Sequence, residues 1–127
     1  MKITSAAFAC AAAAAVAVGS VPASERGGRC PRGALPFVTP NPIAPAARAA
    51  IAREKAESRP QVTKAVVASS DLRGRGAQVK QCGQRTLGRT VVVYITLRKF
   101  LPSASLSERV SFVSRFRSGW RVWAIAH

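Results

Sequence analysis

The chain is poor in the side chains that most enzymes use. Its 127 residues contain one histidine, and that is His127, the last residue. A histidine triad needs a base held by an orienting acid, and a chain end is a poor platform for one. The acids number five, Glu25, Glu54, Glu57, Asp71 and Glu108, with no two placed as an acid–base pair. One histidine, three cysteines and scattered carboxylates do not compose a metal site. No C-x-x-C occurs, which excludes a dithiol redox centre of that type, and Ser103-Ala104-Ser105 lacks the strand–turn–helix context of a nucleophilic serine. The chain reads as a non-enzyme without metal or cofactor.

What it has instead begins at the N-terminus. Lys2 supplies a short positive region, and Ala6 to Val18 is an unbroken run of small or apolar residues. Gly19 and Ser20 loosen it, and Val21-Pro22-Ala23 offers small residues to signal peptidase, so residues 1–23 read as a signal peptide cleaved before Ser24. The run is short and alanine-rich for a membrane span, which needs about 20 strongly apolar residues. The alternative is an uncleaved N-terminal anchor. Either way the destination is the periplasm, the cell envelope or the exterior. Removing residues 1–23 from 127 leaves 104, the size of one domain.

Cys10 falls in the leader, which leaves Cys30 and Cys82. An even count in an exported chain reads as a disulfide. Closing a loop of about 50 residues is worth roughly 4 kcal/mol in the chain-entropy account. The formal charge is +15, or +14 without Lys2. Such an excess attracts nucleic acid, phospholipid head groups or acidic wall polymers. The plainer reading is an arginine-rich coding bias, since the Gly/Ala/Arg-rich composition is that of a GC-rich bacterial genome.

Residues 24–41 form a Pro/Gly/Arg-rich arm, and prolines at 31, 36 and 40 exclude helix or ladder there. A single α+β domain follows over 42–127. Asn41 as N-cap and Pro42 at the first position predict a helix over Pro42–Ser58, with Ile43, Ala47, Ala50 and Ile51 on one face. Strands are expected at Val62–Ser69, Ala77–Cys82 and Thr90–Phe100, the last apolar on both faces and therefore central. A terminal hairpin folding about Ser118-Gly119 would pair Phe116 with Arg121 and Arg117 with Trp120. That register places Trp123 in the core and Trp120 outside. The fold class is one helix packed on a curved antiparallel sheet of four to five strands.

The order of helix and then strands, with the ending Arg109-Val110-Ser111-Phe112-Val113 and Gly119-Trp120-Arg121-Val122, resembles the cystatin-like and NTF2-like superfold. The resemblance covers Pro42 to His127 and implies fold rather than activity. Cystatin-type protease inhibition is not implied. Neither Gln61-Val62-Thr63-Lys64-Ala65 nor Gln78-Val79-Lys80-Gln81-Cys82 is the inhibitory Gln-x-Val-x-Gly loop, and Gly119-Trp120 stands where cystatins have Pro-Trp.

Anion binding is the better-supported activity. Arg73 and Arg75 sit in a glycine-rich loop, Arg85 and Arg89 flank the next one, and Arg115, Arg117 and Arg121 surround Trp120. A guanidinium fork donates two parallel bonds to phosphate. The candidate site is therefore Arg73, Arg75, Arg115, Arg117, Trp120 and Arg121, directed at an anionic polymer or membrane, with no specific nucleic-acid motif. Against this stands an internal Arg117–Trp120 cation–π stack. The alternative function is an NTF2-like cone, with a small-ligand pocket or vestigial enzyme site lined by Val91, Val93, Tyr94 or Phe112.

Overall fold

The computed structural model describes residues 30–100 and 107–127; the leader, its cleavage point and the first part of the arm lie outside them. Among these residues the first long element is α1 (Ile43–Arg53). Asn41 Oδ1 accepts the Ile43 N–H at 3.1 Å, so the asparagine does cap the helix. The helix is shorter than Pro42–Ser58: Glu54 turns extended, Ala56–Ser58 makes one 3-10 turn, and Arg59 takes a left-handed φ of 51° before Pro60. Ala46 and Ala50 are its buried residues, with Ile43 and Ala49 packed beside them. The anticipated face of Ile43, Ala47, Ala50 and Ile51 is thus rotated by about one position. Alanines at 44, 46, 47, 49, 50 and 52 give almost no periodic signal from which to choose.

Four antiparallel strands follow, β1 (Pro60–Val67), β2 (Thr90–Leu97), β3 (Glu108–Phe116) and β4 (Gly119–Ala126), in the order 1-2-3-4. The fold is α+β. As expected, β2 is an inner strand. On one side Val91, Val93, Ile95 and Leu97 join Val113 of β3 beneath Ala46 and Ala50 of α1. On the other, Val92 meets Val110 and Phe112 of β3 under Ala68, Val79 and Leu87.

That second cover differs from the expectation of a strand at Ala77–Cys82. Arg75–Cys82 is a 3-10 helix, and the loop foreseen over Gly83–Gly88 contains the short helix α2 (Gln84–Leu87). At three residues per turn, Gly76, Val79 and Cys82 fall on one side. Gly76 and Val79 are buried there and Cys82 packs against the same cluster. The alternation of Val79 with Gln78 and Lys80 mimicked a strand.

The hairpin turns on Arg117-Ser118, one residue earlier than expected, so each pairing partner shifts by two: Phe116 pairs with Gly119 and Arg115 with Trp120. Gly119 takes the positive φ, 116°. A register shift in β4 then sets Phe112 opposite Ala124 and leaves Trp123 as the extra residue. Trp120 is therefore not an outside residue. It is half-buried on the α1 side beside Val113 and stacks on Phe37 with centroids 5.7 Å apart. Trp123 packs on the other side against Phe112, its Nε1 donating to Ser114 Oγ at 3.0 Å.

The arm connects the two layers. Cys30 and Cys82 are joined, with Cα atoms 5.5 Å apart. Beyond the start of β2, the arm takes the vacated place beside β3: the Leu35 N–H donates to the Arg115 carbonyl at 2.7 Å. Phe37 then reaches Trp120. The arm thus runs as a strap around one end of the sheet, from the Cys82 side to the α1 side.

Two substitutions test this. Cys82→Ser should cost about 2–4 kcal/mol in denaturant unfolding. Trp120→Ala should cost about 2–4 kcal/mol, less than full burial would because the ring is partly exposed. Phe37→Ala combined with it should be less than additive, since the two share one contact. A neutral Trp120→Ala would return the side chain to the outside.

Candidate functional site

The arginines fall into three settings. The first is the loop Asp71–Gly76. Asp71 is buried and accepts from Tyr94 Oη at 2.6 Å, from the Gly76 N–H at 3.1 Å and from Lys64 Nζ at 3.4 Å. Tyr94 Oη in turn accepts the Arg75 N–H at 2.9 Å. A Cβ on Gly74 would sit 2.7 Å from Asp71 Oδ1, and one on Gly76 would sit 2.5 Å from the Ala68 carbonyl. The glycines of Arg-Gly-Arg-Gly thus allow the loop to close on Asp71. Arg75 donates to the His127 carbonyl, while Arg73 is exposed beside the exposed Leu72.

The second setting is the hairpin. Arg115 donates from Nε and Nη2 to the Pro36 carbonyl at 3.2 and 3.1 Å. Arg121 lies over the Phe116 ring, 4.6 Å from its centroid. Arg117 is exposed at the turn and does not make the foreseen stack, because Phe37 covers Trp120. The six candidate residues are therefore not one site. Arg75 lies by His127, at the end of β4 opposite Arg117, and Arg115, Trp120 and Arg121 are engaged within the fold.

The third setting is an open groove of about 540 Å³ lined by Pro36 and Phe37 of the strap and by Gln84, Arg85, Gly88 and Arg89. Arg89 is anchored, its Nη1 donating to the Ala34 carbonyl at 2.9 Å. That uses one of five N–H donors. Arg85 is exposed. Among the described residues no carboxylate lines the groove. Sequence reasoning placed Arg85 and Arg89 beside a loop and left them out of the site. Their four-residue spacing was the one available signal; the strap wall was not legible.

The interior polar groups lie elsewhere. Arg109 Nη1 donates to Glu54 Oε1 at 2.7 Å, with the Glu54 side chain 3% exposed. Glu54 Oε2, Arg109 Nε and Ser111 Oγ make no hydrogen bond. Glu108 is exposed rather than interior. The foreseen pocket residues do not share a cavity wall: Val91 and Val93 face α1, while Tyr94 and Phe112 face the opposite layer. Among the described residues no group of three His, Cys, Asp or Glu side chains could hold a metal, and no helix is long and apolar enough to cross a membrane.

No protein-family model, curated protein or solved structure matches this chain.

The Asp71 network makes stability depend on pH. Burial by itself would raise the Asp71 carboxyl, but hydrogen bonds from Tyr94 and Gly76 and the Lys64 charge outweigh it and lower its pKa. Burial and the Asp71 hydrogen bond raise that of Tyr94. A lowered carboxylate contributes stability above its unfolded value of about 3.9 and loses it as pH falls through the folded value. A raised tyrosine contributes below about 10 and loses it as pH rises through its folded value. Asp71→Asn should therefore cost about 1.5–3 kcal/mol at neutral pH. The gap from wild type should close in acid, read by urea unfolding across pH. A gap unchanged at low pH would show that charge plays no part.

Proposed function

We propose that the protein is an exported, disulfide-stapled, non-catalytic binding module whose basic surface engages an anionic polymer. The observation that carries this is the distribution of charge. Of the four described acids, Glu54 and Asp71 are turned inward and paired with Arg109 and Lys64. Glu57 and Glu108 alone among them are exposed, against Arg32, Arg48, Arg53, Arg59, Arg73, Lys80, Arg85, Arg98, Lys99 and Arg117, among others. The fold consumes its scarce carboxylates and leaves the cations in water, where they act on approaching anions.

The leader and the disulfide support export, and Ser24 is the first residue of the mature chain. One long helix followed by a four-stranded meander supports the cystatin-like and NTF2-like resemblance. That superfold serves many functions, so the charge chooses among them. Of the interior charged groups on which a competing small-ligand cone could draw, Glu54 and Arg109 already pair with each other and Asp71 with Lys64.

Salt decides the matter, because contacts with polymer phosphates or sulfates release counterions. Oxidised protein should be retained on immobilised heparin at low ionic strength and released steeply as salt rises. Retention that is absent, or indifferent to salt, would end the proposal. N-terminal sequencing of exported material should begin at Ser24; an intact Met1 in the membrane fraction would restore the anchor.

A further inference from the structure

Resting on that reading, we infer that the groove between the strap and α2 is the contact site, and that it takes one strand of a polymer bearing phosphate or sulfate groups. Exposed arginines are common on this surface, so what matters is what distinguishes two of them. Arg85 is exposed and lines the groove, and among the described residues its guanidinium has no hydrogen-bond or ion-pair partner. Arg89 is held by the Ala34 carbonyl and lines the same groove with its remaining donors. An anchored guanidinium has less freedom to lose on binding, which improves affinity for a given contact. Two forks line one groove, and each can donate paired N–H groups to an oxyanion of the strand. Gln84 adds a neutral donor and acceptor, and among the described residues no carboxylate lines the groove to repel the ligand.

The other basic positions lack this combination. Arg115 is spent on the Pro36 carbonyl, Arg75 on the His127 carbonyl, and Arg121 lies on Phe116. Arg48 is exposed on α1 and does not line the groove. A bilayer contact draws on apolar side chains set among the head groups, and the exposed large hydrophobics among the described residues, Val38 and Leu72, do not line the groove. The groove also depends on the strap: one wall is the arm and the other begins two residues after Cys82, the cysteine that holds the arm.

The test uses the intact oxidised protein with three probes: short-chain polyphosphate, a heparin oligosaccharide and phosphatidylglycerol vesicles. Arg85→Ala should weaken binding of polyphosphate, heparin or both by about tenfold at low salt and lower the salt slope by about one. Arg85→Lys keeps the charge but loses the fork, so it should fall between wild type and Arg85→Ala. Arg48→Ala removes one charge outside the groove and should stay within about twofold of wild type. The polymer bound more tightly identifies phosphate or sulfate as the preferred group. Equal losses for Arg85→Ala and Arg48→Ala would overturn the groove while leaving the basic-module reading standing. Binding to vesicles but to neither polymer would overturn the ligand class. No salt-dependent binding by wild type would overturn both.

Discussion

The two inner strands must be dried on both faces, and nearly every other feature answers that demand. β2 carries apolar side chains at 91, 92, 93, 95 and 97, all buried, so neither side can face water. Burying each side chain of this size is worth about 1.5–3 kcal/mol. One side is closed by α1, where Ala46 and Ala50 let the helix approach closely. The other has no long helix among the described residues to close it. A 3-10 helix and the four residues of α2 supply Val79 and Leu87 instead. Such short pieces have few hydrogen bonds of their own and depend on ties. The tie at one end is the Cys30–Cys82 bond, and at the other the closure of the loop on Asp71 by Tyr94 and Gly76.

These ties have an electrostatic consequence. Asp71 secures the second layer and Glu54 is paired with Arg109 on β3, so two of the few acids are withdrawn from the surface by structural work. Among the described residues, the small number of exposed acids follows partly from how the interior is held. Stability and charge are therefore linked in this molecule. A change that frees Asp71 weakens the layer carrying the 3-10 helix and also adds a negative group near Arg73 and Arg75.

What the sequence made legible was whatever rested on a short, strong local pattern. The valine run of β2 announced an inner strand, two cysteines admitted one pairing, and Asn41 before Pro42 marked the helix start. Failures came where a pattern was ambiguous or where distant segments meet. Val79 between Gln78 and Lys80 alternates like a strand, although Gly76, Val79 and Cys82 at three-residue spacing fit the 3-10 helix that forms. The hairpin was recognised, but a turn at Arg117-Ser118 and a bulge at Trp123 are set by packing on both faces, which is not local. Placing Trp120 required knowing that Phe37 would reach it. The groove was illegible for the same reason, since its walls come from residues 36–37 and 84–89 and only the folded strap brings them together.

The choice of arginine over lysine follows from the same geometry. Of the 20 basic residues, 15 are arginine. A coding bias would produce that number but would not distribute the hydrogen bonds. At the strap, arginine does two jobs that lysine could not combine as well. Arg89 gives one donor to a backbone carbonyl and keeps others on the groove side, and Arg115 spends two donors on a single carbonyl. A planar fork can bind backbone with one edge while presenting another edge to a ligand; an ammonium is a compact point charge without separate edges. Carbonyls freed by the irregular strap, which has no ladder partner beyond Leu35 among the described residues, accept these donors instead, at Ala34 in a partly buried setting and at Pro36 in an exposed one. The arginines at this end of the sheet thus satisfy the strap's backbone first. The anion contact proposed for the groove rests on the donors left over.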